Sequence, residues 1–302
     1  MFVINVKYFK FLIFDIFYNK RYNYTCITIN FKRKKMMIKR LVLILLISNV
    51  IVCFSACAGK GVTENNVKEP KKIIVFAAAS LTEAFTEIGN EFMKENPDTN
   101  IIFNFDSSGT LKTQIEEGAT CDIFVSAAPK QMNQLEELGL IKPDTRFDFL
   151  ENKVALVVTD ENKKNINSYE DLVKGLNQGN ILLAIGNSDV PVGQYTQKIF
   201  THFGLDEKRL SDNGVLSYGS NVKEVTIQVK EGTVDCGIVY GTDANSANLK
   251  VVDYATKDMC GQVLYPASLL KKSNDYSIDF LNYLKKEKAK NILIKVGFSP
   301  LT

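Results

Sequence analysis

From Lys72 onward the chain alternates short runs of consecutive apolar residues with longer stretches whose apolar positions recur three and four apart. Lys72 to Ala79 (KIIVFAAA) is the first run, and Leu81, Ala84, Phe85, Ile88 and Phe92 follow it at helical spacing. The first pattern predicts a strand buried on both faces and the second a helix with one buried stripe. Ser80 and Glu83 stand at the separation of a capping box, which places the helix start at Ser80.

The unit then repeats. Asn100 to Phe105 predicts a strand, Ser107-Ser108-Gly109 a turn, and Leu111 to Glu117 a helix closed by Gly118. Strands are predicted over Asp122 to Val125, Val154 to Thr159, Ile181 to Ile185, Val215 to Tyr218, Cys236 to Tyr240, Val251 to Tyr254 and Leu264 to Leu270. Helices are predicted from Pro129 through Leu138, over Val192 to Phe203, over Val222 to Lys230, and over Asp279 to Lys295. Alternation of this kind predicts an α/β protein with mainly parallel sheets and helices on both faces. Val154 stands near the start of a second domain. Ligands of such sheets sit beyond the carboxyl ends of the strands.

The pattern before Lys72 is different. Residues 1–35 show neither alternation nor a helical stripe, and read as unstructured or as upstream sequence, with Met36 or Met37 as the start of the working chain. Residues 36–56 carry Lys39 and Arg40, an apolar run from Leu41 to Val52 and small residues before Cys57, which is the layout of an export signal. The run falls short of the about 20 apolar residues of a spanning helix. Phe54-Ser55-Ala56-Cys57 resembles the lipobox of bacterial lipoproteins, in which the cysteine is lipidated. Small Ala56 before Cys57 favours that site over Cys53, which follows bulky Val52. Residues 57–71, rich in Gly, Asn, Lys and Glu, read as a flexible tether.

Removing the leader reverses the charge. Residues 1–56 hold 10 of the 37 Lys and Arg and one of the 34 Asp and Glu, so the remaining 246 residues carry a net charge of −6. The basic balance belongs to the leader and is no argument for a nucleic-acid partner. Cys121, Cys236 and Cys260 lack metal-ligand spacing and read as small buried apolar residues. The single histidine, His202, falls at a predicted helix end, where the dipole favours it; a histidine metal site has no second member.

Four strand-to-helix turns share one character: Ala79-Ser80, Ser107-Ser108-Gly109, Val190-Pro191-Val192-Gly193 and Ser220-Asn221-Val222. Each opens a helix, whose first N–H groups are unpaired and carry roughly half a positive charge. Several such termini aimed at one point would hold an anion without a cationic side chain. Lys223 is the one basic residue beside these turns. The plainer reading makes Ser80 and Ser108 ordinary helix caps.

VFAAASL (Val75 to Leu81), FDSSGTL (Phe105 to Leu111), CDIFVSA (Cys121 to Ala127), DVPVGQY (Asp189 to Tyr195), SNV (Ser220 to Val222) and GIVYGTDA (Gly237 to Ala244) resemble the molybdate-binding proteins of ABC importers. The likeness runs from about Lys72 to Gly297-Phe298-Ser299-Pro300-Leu301. It implies a two-lobed, type II periplasmic-binding-protein fold with a two-crossover hinge, residues 72–153 plus 262–302 forming one lobe and 154–261 the other. It implies molybdate or tungstate as ligand, held by the hydroxyls and N–H groups of Ser80 and Ser108, the N–H groups of Val192 and Val222, and the phenol of Tyr240. It further implies no cofactor, no catalysis, and, as partners, an ABC permease with its ATPase subunits. The expected protein is a monomer on the outer face of the membrane, anchored through Cys57.

Three positions depart from the family pattern: Val192 stands for a smaller residue, Asp106 for a neutral one and Asn221 for an acid. The Asp106 carboxylate either points to solvent or repels an anion. A donor-only site suits a fully ionised oxyanion and leaves the proton of hydrogen phosphate unmatched. A site for sulfate or another oxyanion, and a surface lipoprotein without a transport role, are the alternatives. Nucleophile-elbow, zinc-protease and phosphate-loop motifs do not occur in the sequence.

Overall fold

The computed structural model describes residues 70–301; the expected leader over 1–56, Cys57 and the expected tether as far as residue 69 lie outside the described residues, and Lys71, expected to end that tether, already opens the first strand. The strands are β1 (Lys71–Ala78), β2 (Thr99–Asp106), β3 (Ile123–Val125), β4 (Phe147–Asn152), β5 (Val154–Val158), β6 (Leu183–Gly186), β7 (Leu216–Gly219), β8 (Cys236–Tyr240), β9 (Lys250–Tyr254), β10 (Val263–Leu269) and β11 (Ser299–Pro300). The helices are α1 (Thr82–Glu95), α2 (Ser108–Glu116), α3 (Pro129–Glu137), α4 (Tyr169–Gln178), α5 (Pro191–His202), α6 (Glu207–Asp212), α7 (Val222–Lys230), α8 (Gly241–Ala247), α9 (Lys257–Cys260), α10 (Ser277–Tyr283) and α11 (Glu287–Val296).

They form two sheets. One has the order β11-β4-β10-β3-β1-β2 and the other β7-β6-β8-β5-β9. The chain passes from the first sheet to the second between Asn152 and Val154 and returns between Cys260 and Val263. Parallel pairing joins β1 to β2 and β3, and β6 to β7 and β8, as the βα alternation requires. The sheets are nevertheless mixed, because the strands beside the two passages, β4, β5 and β10, run antiparallel to their neighbours.

Strand β1 is buried on both faces because helices cover both. Ile73, Val75 and Ala77 join the large core with Phe85 and Ile88 of α1, while Phe76 on the opposite face packs with Leu111, Phe124, Met132 and Leu135. All five residues of β5 (VALVV) are fully buried. Gly118 ends the helix before it with φ +93° and Gly204 does the same with φ +66°, a region closed to most side chains.

The helix predicted over Asp279 to Lys295 is two helices, α10 and α11, separated at Leu284 to Lys286. The break has a packing cause. Leu281 and Leu284 face the core, and an unbroken helix would bring Lys288 in next, four residues on. Restarting at Glu287 puts Ala289, Ile292 and Leu293 inward and leaves Lys288 free to pair with Glu91 at 2.6 Å and Glu95 at 2.9 Å.

Candidate functional site

The predicted site residues all stand at carboxyl ends of strands. Ser80 follows β1, Ser108 follows β2, Val192 follows β6, Val222 follows β7, and Tyr240 ends β8. All are buried, with 3% exposure or less. Two belong to the first sheet and three to the second.

Ser80 lies in a 3-10 turn, Ala79–Leu81, and α1 begins only at Thr82. The predicted capping box therefore does not form. Glu83 falls in the first turn of α1, and its carboxylate instead accepts two 2.8 Å bonds from Lys223 Nζ. The Ser80 hydroxyl lies 2.9 Å from the Tyr265 phenol. The turn is closed by Thr82, whose hydroxyl donates to the Ala79 carbonyl.

Ser108 is not a cap either. Ser107 caps α2, its Oγ accepting from Thr110 N–H at 3.1 Å, while its own N–H donates to the Asp106 carboxylate at 2.7 Å. Asp106 is half-buried and this bond occupies one of its oxygens. Relieved of capping, the Ser108 hydroxyl accepts from Ala127 N–H at 3.0 Å. Both Ser108 N–H and Gly109 N–H sit in the first turn of α2, where a helix provides no acceptor.

Val192 follows Pro191 at the start of α5. Val222 opens α7 behind Asn221, whose side chain accepts from Glu224 N–H at 3.1 Å, and Glu224 reaches back to Ser220 N–H at 2.7 Å. The Tyr240 phenol donates to the Ala127 carbonyl over a long 3.5 Å. Its ring meets that of Tyr265 edge-on, with centroids 5.8 Å apart. Burial pushes both phenols well above the ordinary tyrosine range, so they stay protonated donors.

These contacts draw the five residues together across the sheets. Ala127 is shared by Ser108 and Tyr240, and Tyr265 joins Ser80 to Tyr240. Gly109, beside Ser108, packs so closely on the loop before Val192 that a Cβ there would lie 2.2 Å from the Asp189 carbonyl oxygen. The Ser80 turn packs against α7, which begins at Val222.

Lys223 is already committed. Besides Glu83 it lies 3.1 Å from Asp243 Oδ1, a charge contact without the alignment of a hydrogen bond. Burial would lower the Lys223 pKa, but Asp243 and Glu83 outweigh it and hold the ammonium above its ordinary value. Burial raises the Asp243 carboxyl to about 6 against the pull of Lys223. The positive charge beside the site is thus matched by two carboxylates.

Ala127, Asn152, Thr242, Asp243 and Tyr265 take part in this network without having been singled out in the sequence. Thr242 and Asp243 stand in the GIVYGTDA segment; Tyr265 reads only as strand core. Cys121, Cys236 and Cys260 are buried free thiols, and His202 ends α5 with its ring edge-on to Phe203. Among the described residues no group of three or more His, Cys, Asp or Glu could hold a metal ion, and no helix is long and apolar enough to cross a membrane.

The bacterial extracellular solute-binding protein family matches residues 73–299. The chain belongs to this family. It is 38% identical to the molybdate-binding protein ModA of Haemophilus influenzae over 76% of this chain and 90% of that protein. It is 31% identical to the putative ABC transporter substrate-binding lipoprotein YvgL of Bacillus subtilis, over 82% of this chain and 95% of that one. Among solved structures, the substrate-binding domain of a putative molybdenum ABC transporter from Clostridium difficile superposes with a TM-score of 0.57 at 31% identity, covering 76% of this chain and 99% of that domain. The fold is the type II periplasmic-binding-protein fold. As a member of an extracellular family the chain is an exported solute-binding protein, and the family is not one of enzymes.

Proposed function

We propose that this protein captures molybdate or tungstate between its two sheets and delivers it to the permease of an ABC importer driven by ATPase subunits. Residues 72–153 with 262–302 act as one lobe and 154–261 as the other, and closure completes the site. The reading is supported by the burial of Ser80, Ser108, Val192, Val222 and Tyr240 at strand ends of both sheets. Lys223, beside Val222, is already paired with Glu83 and Asp243. Uncharged donors at helix N-termini suit a fully ionised tetrahedral oxyanion. The names of the Haemophilus and Clostridium relatives support molybdate within that class.

The leader pattern and the lipoprotein relative in Bacillus support an anchor at Cys57, leaving a monomer tethered to the outer face of the membrane. Mass spectrometry finding a mature N-terminus other than lipidated Cys57 refutes the anchor.

Thermal unfolding with molybdate, tungstate, sulfate and phosphate tests the ligand. A ligand at 100 times its Kd adds about 2.7 kcal/mol. Molybdate and tungstate should raise the transition. A rise with sulfate alone identifies another oxyanion, and no rise with any of the four removes the reading.

A further inference from the structure

The Ser80 hydroxyl is held at one end of a buried chain of hydrogen bonds whose direction can be worked out link by link. At the far end is Asn152, the last residue of β4, at the point where the chain leaves the first sheet. Its Oδ1 accepts from Lys153 N–H at 2.8 Å, which fixes the orientation of the amide. Nδ2 therefore faces inward, and its two protons go to Thr242 Oγ1 at 2.9 Å and to the Tyr265 phenol oxygen at 3.2 Å. Tyr265 is fully buried, so its own proton needs an acceptor. Ser80 Oγ at 2.9 Å supplies it. Ser80 then accepts from Tyr265, and its one remaining proton is free to be donated. Ser108 reaches the same state by a shorter route, since its Oγ accepts from Ala127 N–H.

We infer that Asn152 and Tyr265 are positioning residues for the oxyanion site: they fix the Ser80 hydroxyl as a donor and so set the preference for a fully ionised anion over a protonated one. The inference rests on the proposed function. Asn152 and Tyr265 act through Ser80 and are assigned no contact with the ligand. Without Tyr265 the Ser80 hydroxyl is free to turn, donating to one anion or accepting a proton from another, and the site loses part of its selectivity.

The test is calorimetric titration of the mature protein with sodium molybdate and with sodium phosphate near neutral pH. Tyr265→Phe keeps the ring and removes the relay. It should weaken molybdate binding about fivefold, less than the roughly tenfold or greater loss for deleting a hydrogen bond to a charged group, because the freed Ser80 hydroxyl can still donate. It should also narrow the molybdate-to-phosphate preference. In a Ser80→Ala background the same change should alter molybdate affinity by less than about twofold, because two positions acting through one bond do not add. Asn152→Leu, similar in size, should shift affinity and preference the same way by a smaller factor; it stands in should Tyr265→Phe fail to fold. Equal losses from Tyr265→Phe with and without Ser80 mean a structural role and overturn the inference. So does an unchanged preference in both variants. If the wild-type protein binds no molybdate, the proposed function falls and the inference with it; if it binds and the losses add, only the inference falls.

Discussion

Asp243 offers a prediction of unusual sign: removing its charge should stabilise the protein. The side chain is fully buried, and among the described residues neither carboxylate oxygen takes a hydrogen bond. Burial lifts its pKa from 3.8 to about 6 even with Lys223 3.1 Å away. A carboxyl whose pKa is raised by folding favours the fold when protonated. That contribution is complete below the unfolded pKa near 3.8 and is lost as pH rises through about 6. At 1.36 kcal/mol per pH unit, the ionised form costs about 3 kcal/mol above pH 6. Asp243→Asn keeps the shape and stays neutral. Breaking a buried ion pair usually destabilises because it strands a charge, but here Lys223 keeps both 2.8 Å bonds to Glu83. Thermal unfolding followed by circular dichroism should show the variant more stable at pH 7.5. For a domain of this size the rise is about 2–4 °C for each kcal/mol recovered. The difference should shrink to nothing below pH 4. A variant that melts at or below the wild-type temperature at pH 7.5, or one whose advantage is the same at both pH values, refutes this account of Asp243.

Ser108→Ala removes a buried hydroxyl poised to donate and should cost about 1.5–3 kcal/mol of molybdate binding by calorimetry. Tyr240→Phe should fall in the same range. Glu83→Gln breaks the cross-sheet pair with Lys223; Glu83 is nearly half exposed, so about 0.5–1 kcal/mol of affinity should be lost with little change in Tm. Gly109→Ala places a methyl group 2.2 Å from the Asp189 carbonyl oxygen, a backbone atom that yields only if the sheets move apart. Small-angle scattering with ligand should then report a larger radius of gyration than for the wild type, and calorimetry a weaker affinity.

What could be read from the chain was what lies close along it. The change from an apolar run to helical spacing marks Ser80, Ser108, Val192 and Val222 within a few residues each, and the structure puts all four beyond the carboxyl ends of strands. Helix α4 carried a local signal as well: Ser168 caps it by accepting from Asp171 N–H, and Tyr169, Leu172 and Leu176 form its buried stripe. The capping box at Ser80 misled because spacing alone does not say whether a nearer partner exists, and Glu83 has one in Lys223, 140 residues away. Strand pairing was hidden for a similar reason. A short apolar run looks the same whichever way its neighbour runs, so the antiparallel placement of β5 and β10 had no signature in their own residues. Asn152 and Tyr265 are 113 residues apart, and Tyr265 is 185 from Ser80. Their roles come from hydrogen-bond direction, which exists only once three distant positions meet. Local pattern thus locates the donors of such a site, whereas the groups that decide which way those donors point come from β4 and β10, strands of one sheet that lie far apart along the chain.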